Sequence, residues 1–190
     1  MSPTKEMKTA FFDLETQYLF KEVGGRENIH KLKIALVGIR IDSQNFIFAE
    51  DKLLDAIKIL QEADLIIGHN ILGFDYLVIE PYIEKEIIEM LKKKTFDMMY
   101  ELSKIIVGAS FIGLDDLAKR NLGIKKTCDS ILIPGMWREG KHKEVEEYLK
   151  NDLKVTEAVY NYAKSNRKLK YEHKNYNVSG GEKEVKINWK

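Results

Sequence analysis

The sequence predicts an α/β domain built on a mixed β-sheet. With 190 residues, of which 44% are apolar and 32% charged, the chain has the size and composition of one globular domain. Two β-branched segments with a very short connection lie near the start of the chain, which indicates an antiparallel hairpin. Strand-like segments then alternate with segments of helical spacing, an order typical of parallel strands joined by helices.

Five segments have the short apolar runs of β-strands. The first is Thr-Ala-Phe-Phe followed by acids, and the second and third are separated only by Ser43 and Gln44. The predicted bounds are residues 8–15, 33–42, 45–49, 64–68 and 95–98.

The spacing of apolar residues predicts six helices between and after these strands. Pro81 is expected to end or disturb the second helix, and Gly123 to end the fifth. The predicted bounds are residues 53–63, about 73–81, 84–93, 100–106, 114–121 and 143–163. Residues 125–141 lack clear periodicity and contain Pro134 and Gly135, which predicts a loop.

The last 25 residues differ in character, so we divide the chain into a domain of residues 1–165 and a basic C-terminal extension of residues 166–190. The extension carries seven Lys or Arg against three Glu, and Ser-Gly-Gly at 179–181 predicts the turn of a hairpin. The extension either adds a solvated hairpin to the fold or adds phosphate contacts and stacking through Tyr171, Tyr176 and Trp189.

Composition excludes several classes of function. The net charge of +1 provides no overall cationic field for polyanions, so nucleic-acid contact requires a local patch or bound metal ions. The single cysteine, Cys128, excludes an internal disulfide and a zinc cluster built on cysteines. Because the sequence has no apolar signal segment and no apolar run near ~18 residues, we expect a cytoplasmic location.

Two acids close the first predicted strand. Asp13 and Glu15 are two residues apart, so their side chains emerge on the same face of the strand. Two adjacent carboxylates repel each other unless cations or protons neutralise them. Alone, the pair is also explained as the solvated end of a strand.

A second acidic element follows the strand at residues 64–68. Asn70, Phe74 and Asp75 come directly after it, and ligands of open α/β sheets collect at the carboxyl ends of strands. The alternative is that Asn70 or Asp75 caps the next helix. Capping does not explain the whole motif.

A third element lies on the last predicted helix. Tyr148 and Asp152 are four residues apart and therefore share one helical face with Val155 and Val159, which is expected to pack on the sheet. An acid on a buried face is costly unless it is paired or bound to metal. The alternative is an acid at the edge of that face, in contact with water.

Together, the three elements predict an acidic site at one edge of the sheet. Four carboxylates with no consistent cysteine or histidine partner form an oxygen-only ligand set. Such a set suits Mg²⁺ or Mn²⁺ rather than zinc. We expect His69, beside the second element, to form a structural hydrogen bond rather than to bind metal.

The three elements resemble the motifs of the DEDD superfamily of 3′–5′ exonucleases. Residues 12–16 resemble the first motif, and Asn70 with Phe74-Asp75 the second. Tyr148-(x3)-Asp152 resembles the third motif of the tyrosine-bearing branch; the histidine-bearing branch would need His at position 147, where this chain has Glu. The similarity is closest to the proofreading domains of family B DNA polymerases and their stand-alone relatives.

This resemblance implies a fold, an activity and roles for nine residues. The fold would be ribonuclease H-like, a mixed five-stranded sheet flanked by helices on both faces. The activity would be hydrolysis of single-stranded nucleic acid or a frayed 3′ end, DNA favoured, to nucleoside 5′-monophosphates. Two divalent cations, Mg²⁺ or Mn²⁺, would be held about 3.5–4 Å apart. Their expected ligands are Asp13, Glu15, Asp75 and Asp152.

The remaining roles concern water and substrate. Tyr148 is expected to orient the attacking water, since its usual pKa near 10 makes it a poor base. Contacts with the terminal nucleotides are expected from Leu14, Thr16, Asn70 and Phe74, although Phe74 is equally explained as a core residue.

The sequence leaves three alternatives open. The same site could act on RNA, because the sequence contains no residue that indicates discrimination at the 2′-hydroxyl. The chain could be a catalytically silent nucleic-acid-binding module, which the retention of all four acids disfavours. It could also be a ribonuclease H-like endonuclease or resolvase, against which the Tyr-(x3)-Asp spacing argues.

Overall fold

The structure is a computed structural model that describes residues 7–109, 112–125, 128–175 and 178–189. Its strands are β1 Thr9–Thr16, β2 Ile34–Ile41, β3 Gln44–Ala49, β4 Leu65–Gly68, β5 Thr95–Asp97, β6 Lys168–Asn175 and β7 Val178–Lys186. Its helices are α1 Leu53–Glu62, α2 Asp75–Ile79, α3 Lys85–Lys93, α4 Met98–Ser103, α5 Leu114–Leu122, α6 Ile133–Arg138 and α7 His142–Asn166.

The first five strands form one mixed sheet in the order β3-β2-β1-β4-β5. β1 pairs antiparallel with β2 and parallel with β4, so it is central. β2 and β3 form the predicted hairpin through Asp42 and Ser43, whose φ angles of 48° and 65° fit the tight two-residue turns that suit the twist of paired strands. The predicted mixed five-stranded sheet is confirmed.

Helices cover both faces of this sheet, as predicted. One apolar cluster joins Phe12 and Leu14 of β1 to α1, α2 and α3. The other joins Phe11 of β1 to α5 and α7. Because side chains alternate along a strand, Asp13 and Glu15 share the face of Phe11 and point towards α7.

Glycine at position 38 sets the distance between α7 and the sheet. Gly38 lies on β2 directly opposite Asp13 of β1. A Cβ atom there would lie 2.9 Å from side-chain atoms of both Leu149 and Leu153. The absence of a side chain therefore allows α7 to pack closely beside the acidic end of β1.

Two predictions about secondary structure are wrong. Residues 125–141 are not all loop, because α6 forms within them with Pro134 in its first turn, where proline's missing N–H is not needed. Residues 179–181 are not the turn of the C-terminal hairpin. β6 ends at Asn175 and β7 begins at Val178, so these three residues belong to β7.

The C-terminal hairpin of β6 and β7 is packed against the domain. Trp189 and Tyr171 are only 6% and 9% exposed, in the same apolar cluster as α5 and α7. Their rings are therefore not available for stacking on nucleic acid, and Tyr176 lies outside the described residues. Lys168 and Lys170 form ion pairs with glutamates of β7, which offsets part of the hairpin's positive charge.

No helix within the described ranges is both long enough and apolar enough to span a membrane.

Candidate active site

A cavity of about 450 Å³ lies where β1 and β4 end. These two strands are parallel, so their carboxyl ends meet at one edge of the sheet. α7 and the start of α5 provide further walls. Five acids line the cavity: Asp13, Glu15, Asp75, Asp115 and Asp152.

Three of these acids form a compact group. One carboxylate oxygen from each of Asp13, Glu15 and Asp152 lies within 4.8 Å of the other two. All three side chains are half-buried, which leaves them accessible from the cavity. The group forms because alternation along β1 directs two acids towards α7, while the close packing at Gly38 brings the third to meet them.

Asp75 lies beside this group but is held separately. It is the first residue of α2 and is 3% exposed. Its Oδ1 accepts a hydrogen bond of 3.0 Å from the backbone N–H of Leu14. The N-cap position of α2 is occupied by Phe74, so Asp75 is not the N-cap residue of this helix. The structure thus places all four predicted ligands on one cavity and three of them in one group.

Five of the described residues that line the cavity are acidic. Burial raises the pKa of Asp13 well above its usual value, and repulsion by Asp75, Glu15 and Asp152 raises it further. Among the described residues that line the cavity there is no Lys or Arg. Clustered carboxylate oxygens without thiolate or imidazole ligands fit a hard divalent cation, which would neutralise this charge.

Tyr148 lines the same cavity, one helical turn before Asp152, and is 8% exposed. Burial raises the pKa of Tyr148 far above its usual range, and the charges of Asp152 and Glu15 and a hydrogen bond to Asp152 act in the same direction. The phenol therefore stays protonated at neutral pH. It can donate a hydrogen bond and position a neighbour, but it cannot act as a base.

The four residues predicted to contact nucleotides all line the cavity. The Leu14 side chain is 4% exposed, and its amide N–H is used by Asp75. Thr16 is 7% exposed and donates its hydroxyl proton to the carbonyl of Tyr18 at 2.9 Å. Asn70 and Phe74 are half-buried and therefore present more surface to a ligand. Phe74 also packs against the core, so both explanations of that residue hold in part.

Two acids at this site were not predicted from the sequence. Asp115 lines the cavity, and Asp97 holds the turn that carries Asn70. The Asp97 carboxylate is 2% exposed and accepts backbone hydrogen bonds from Asn70 at 2.8 Å and Leu72 at 2.9 Å. It also accepts from Met99 and Tyr100 as the N-cap of α4. Asp97 therefore holds the turn that carries Asn70, whose φ of 67° is left-handed. An acid before a predicted helix could have been recognised as a cap, but its second role depends on the sheet.

His69 lines the cavity and forms the hydrogen bond that was expected of it. Its Nε2 lies 2.9 Å from the carbonyl oxygen of Ile112. Burial lowers the pKa of His69, which favours the neutral ring. It is not part of the carboxylate group.

Comparisons with known proteins show a similar fold. The sequence matches no family model, and no curated protein matches it. A solved structure that it resembles is the family B DNA polymerase from the hyperthermophilic archaeon Pyrobaculum calidifontis, with a TM-score of 0.61 and 12% sequence identity. The match covers 83% of this chain and 24% of the polymerase chain, so this chain spans about a quarter of that protein's length. At this identity, the likeness shows the fold alone.

Proposed function

We propose that this protein is a metal-dependent 3′–5′ exonuclease that hydrolyses single-stranded nucleic acid, with DNA favoured, to nucleoside 5′-monophosphates. The observation that carries the proposal is the group formed by Asp13, Glu15 and Asp152, whose oxygens lie within 4.8 Å of one another. Tyr148, four residues before Asp152, supports the tyrosine-bearing DEDD type. The similarity in fold to a family B DNA polymerase is consistent with an enzyme that processes DNA.

The carboxylates would hold the metal ions. Asp13, Glu15 and Asp152 offer ligand oxygens as a group. Asp75, which lines the cavity beside them and accepts a hydrogen bond from the Leu14 N–H, would add a further ligand. When bound, two divalent cations such as Mg²⁺ or Mn²⁺ would activate a water molecule and offset the charge of the phosphate and leaving group. The Leu14–Asp75 hydrogen bond links β1 to α2, and these two elements carry ligands on adjacent sides of the cavity.

The other residues would position substrate and water. Tyr148 remains protonated and is held by Asp152, so its hydroxyl can orient the attacking water. Asn70 and Phe74, on the turn held by Asp97, would contact the terminal nucleotide. Leu14 and Thr16, which are 4% and 7% exposed, would add only a small contact area to the substrate.

The test uses single-stranded DNA and RNA of one sequence, labelled at the 5′ end, with Mg²⁺, Mn²⁺ or EDTA. We expect stepwise shortening from the 3′ end, faster on DNA and abolished by EDTA. Asp13→Ala should slow the reaction by ~10³-fold, because metal-ion catalysis contributes several kcal/mol. Asp55→Ala, which removes an exposed acid on α1, is the matched control and should retain activity.

Metal binding is measured separately by titrating Mn²⁺ and following its electron paramagnetic resonance signal. Wild type should bind Mn²⁺, and Asp13→Ala should bind it at least tenfold more weakly. Cleavage in the middle of the strand would indicate an endonuclease instead. Undiminished activity of Asp13→Ala would refute the proposed mechanism.

A further inference from the structure

The acidic cavity contains no cationic side chain among its described lining residues, although the proposed substrate is a polyanion. Metal ions would offset the charge of the scissile phosphate only. The neighbouring phosphates of the same strand must be bound by cations at the rim of the cavity, or else they are repelled by the five acids.

Two arginines lie at this rim, each beside an aromatic residue that lines the cavity. The Arg26 guanidinium lies 5.7 Å from the centre of the Phe20 ring, and that of Arg138 lies 5.1 Å from the centre of the Tyr18 ring. Arg138 also forms an ion pair of 2.8 Å with Glu22, which offsets its charge.

Among the described residues, Arg26 has no such partner. Its one hydrogen bond within the described residues is donated by Nη2 to the carbonyl of Gly73, at 3.3 Å, and no described carboxylate lies within ion-pair distance. A guanidinium has five N–H donors, so most of them remain for a ligand. Arg26 is exposed, and Gly73 directly precedes Phe74 of the cavity wall.

The backbone holds Arg26 in this place. Gly24 and Gly25 have φ angles of 89° and 120°, which residues other than glycine rarely adopt. The Gly25 N–H donates to the carbonyl of Phe20 at 2.8 Å, so the chain turns back and places Arg26 over the Phe20 ring. A cation held in advance loses less conformational freedom when it binds an anion.

We propose that Arg26 is a phosphate-binding residue that contacts a phosphodiester of the bound strand next to the scissile one. The inference rests on the proposed function and adds a substrate contact to it. Planar guanidinium groups match phosphate oxygens in pairs, whereas the exposed but paired Arg138 is less suited to this role.

The experiment compares wild type, Arg26→Gln and Arg138→Gln on a single-stranded decathymidylate with Mn²⁺. For Arg26→Gln we expect KM to rise about tenfold with kcat unchanged, as for loss of a charged hydrogen bond. For Arg138→Gln the change in KM should be below about threefold, as for a surface ion pair. Arg26→Lys should recover part of the loss, because it restores the charge but not the paired geometry.

A direct binding measurement uses fluorescence anisotropy of a labelled phosphorothioate strand, which resists hydrolysis, at several salt concentrations. In Arg26→Gln the slope of log affinity against log salt should fall in magnitude by about 0.7, the value for one phosphate contact on a single strand.

An active wild type with unchanged KM and salt slope in Arg26→Gln would refute this inference alone. A fall in kcat at constant KM would also refute it, since it would mean that Arg26 only supports Gly73. An inactive wild type would refute the proposed function instead.

Discussion

At the scale of single residues, Tyr148 and Asp152 act as one unit. Their spacing of four residues places them on one face of α7, and the hydrogen bond between them fixes the phenol relative to the carboxylate group. Burial together with two nearby carboxylates keeps the phenol protonated, since the raised pKa means that the neutral form persists at neutral pH. A protonated hydroxyl is suited to orienting other groups.

Tyr148→Phe removes that hydroxyl and retains the ring. We expect kcat to fall by ~100-fold, the size of effect that misplacement of a reacting group produces, with KM changed less than twofold. Steady-state kinetics on a labelled strand measure both constants. Tyr162→Phe, on the same helix but away from the cavity, is the control and should leave kcat unchanged. An unchanged kcat in Tyr148→Phe would remove the residue from its proposed role.

At the scale of elements, the packing of α7 against β1 and β2 determines whether the site exists. Asp152 reaches Asp13 and Glu15 because the helix approaches the sheet at Gly38, where Leu149 and Leu153 occupy the space of a missing side chain. The contact couples a structural glycine to the geometry of the carboxylates.

Gly38→Ala should therefore affect stability and activity together. The added Cβ would lie 2.9 Å from Cγ of the buried Leu149, which would have to leave its rotamer or shift the helix, so overpacking should cost ~1–3 kcal/mol of the free energy of unfolding. Because the helix also carries Asp152, kcat should fall at least ~10-fold, the effect of small displacements. Urea unfolding and steady-state kinetics provide the measurements.

The matched control is Gly181→Ala. An added Cβ at this position in β7 would meet no atom within 4 Å, so stability should change by less than ~0.5 kcal/mol. If Gly38→Ala matched this control in both stability and kcat, the close packing of α7 would not be needed for the site.

Much of the element order was predictable from the sequence. The five sheet strands and the helices other than α6 follow directly from periodicity, because buried faces repeat at fixed intervals. α6 was missed because Pro134 and Gly135 break the pattern, although Ile133 is buried against α7. The hairpin turn was misplaced because Gly-Gly is a turn signal only when the register of the strands agrees with it.

At the scale of the whole molecule, the C-terminal hairpin completes the second apolar cluster. Trp189 lies with its ring 6.1 Å from that of Tyr160 on α7 and 5.2 Å from that of Phe96 on β5. Arg120 on α5 forms ion pairs with Asp116 of its own helix and with Glu172 and Glu182 of the hairpin. The hairpin thus covers the helices that carry the site from their outer side.

Trp189→Ala should lower the free energy of unfolding by ~3–5 kcal/mol, the cost of truncating a large buried aromatic side chain. Because Trp189 does not line the cavity, kcat should stay within about twofold at temperatures where the variant is folded. Urea unfolding followed by circular dichroism gives the first quantity. Lys186→Ala, at an exposed position of β7, should change stability by less than ~0.5 kcal/mol. If Trp189→Ala and Lys186→Ala had the same free energy of unfolding, the buried packing of Trp189 would be contradicted.

The sequence by itself determined the fold class, the pairing of Asp13 with Glu15 on one face of a strand, and that of Tyr148 with Asp152 on one face of a helix. These features follow from the fixed periods of strand and helix, which depend only on neighbouring residues. Tertiary structure decided that the two pairs meet, that Asp75 is held apart by the Leu14 amide, and that Arg26 lies at the rim with no ion-pair partner among the described residues. The distances between these side chains depend on how closely the strands and helices pack. Contacts between residues far apart in the chain determine that packing, as at Gly38.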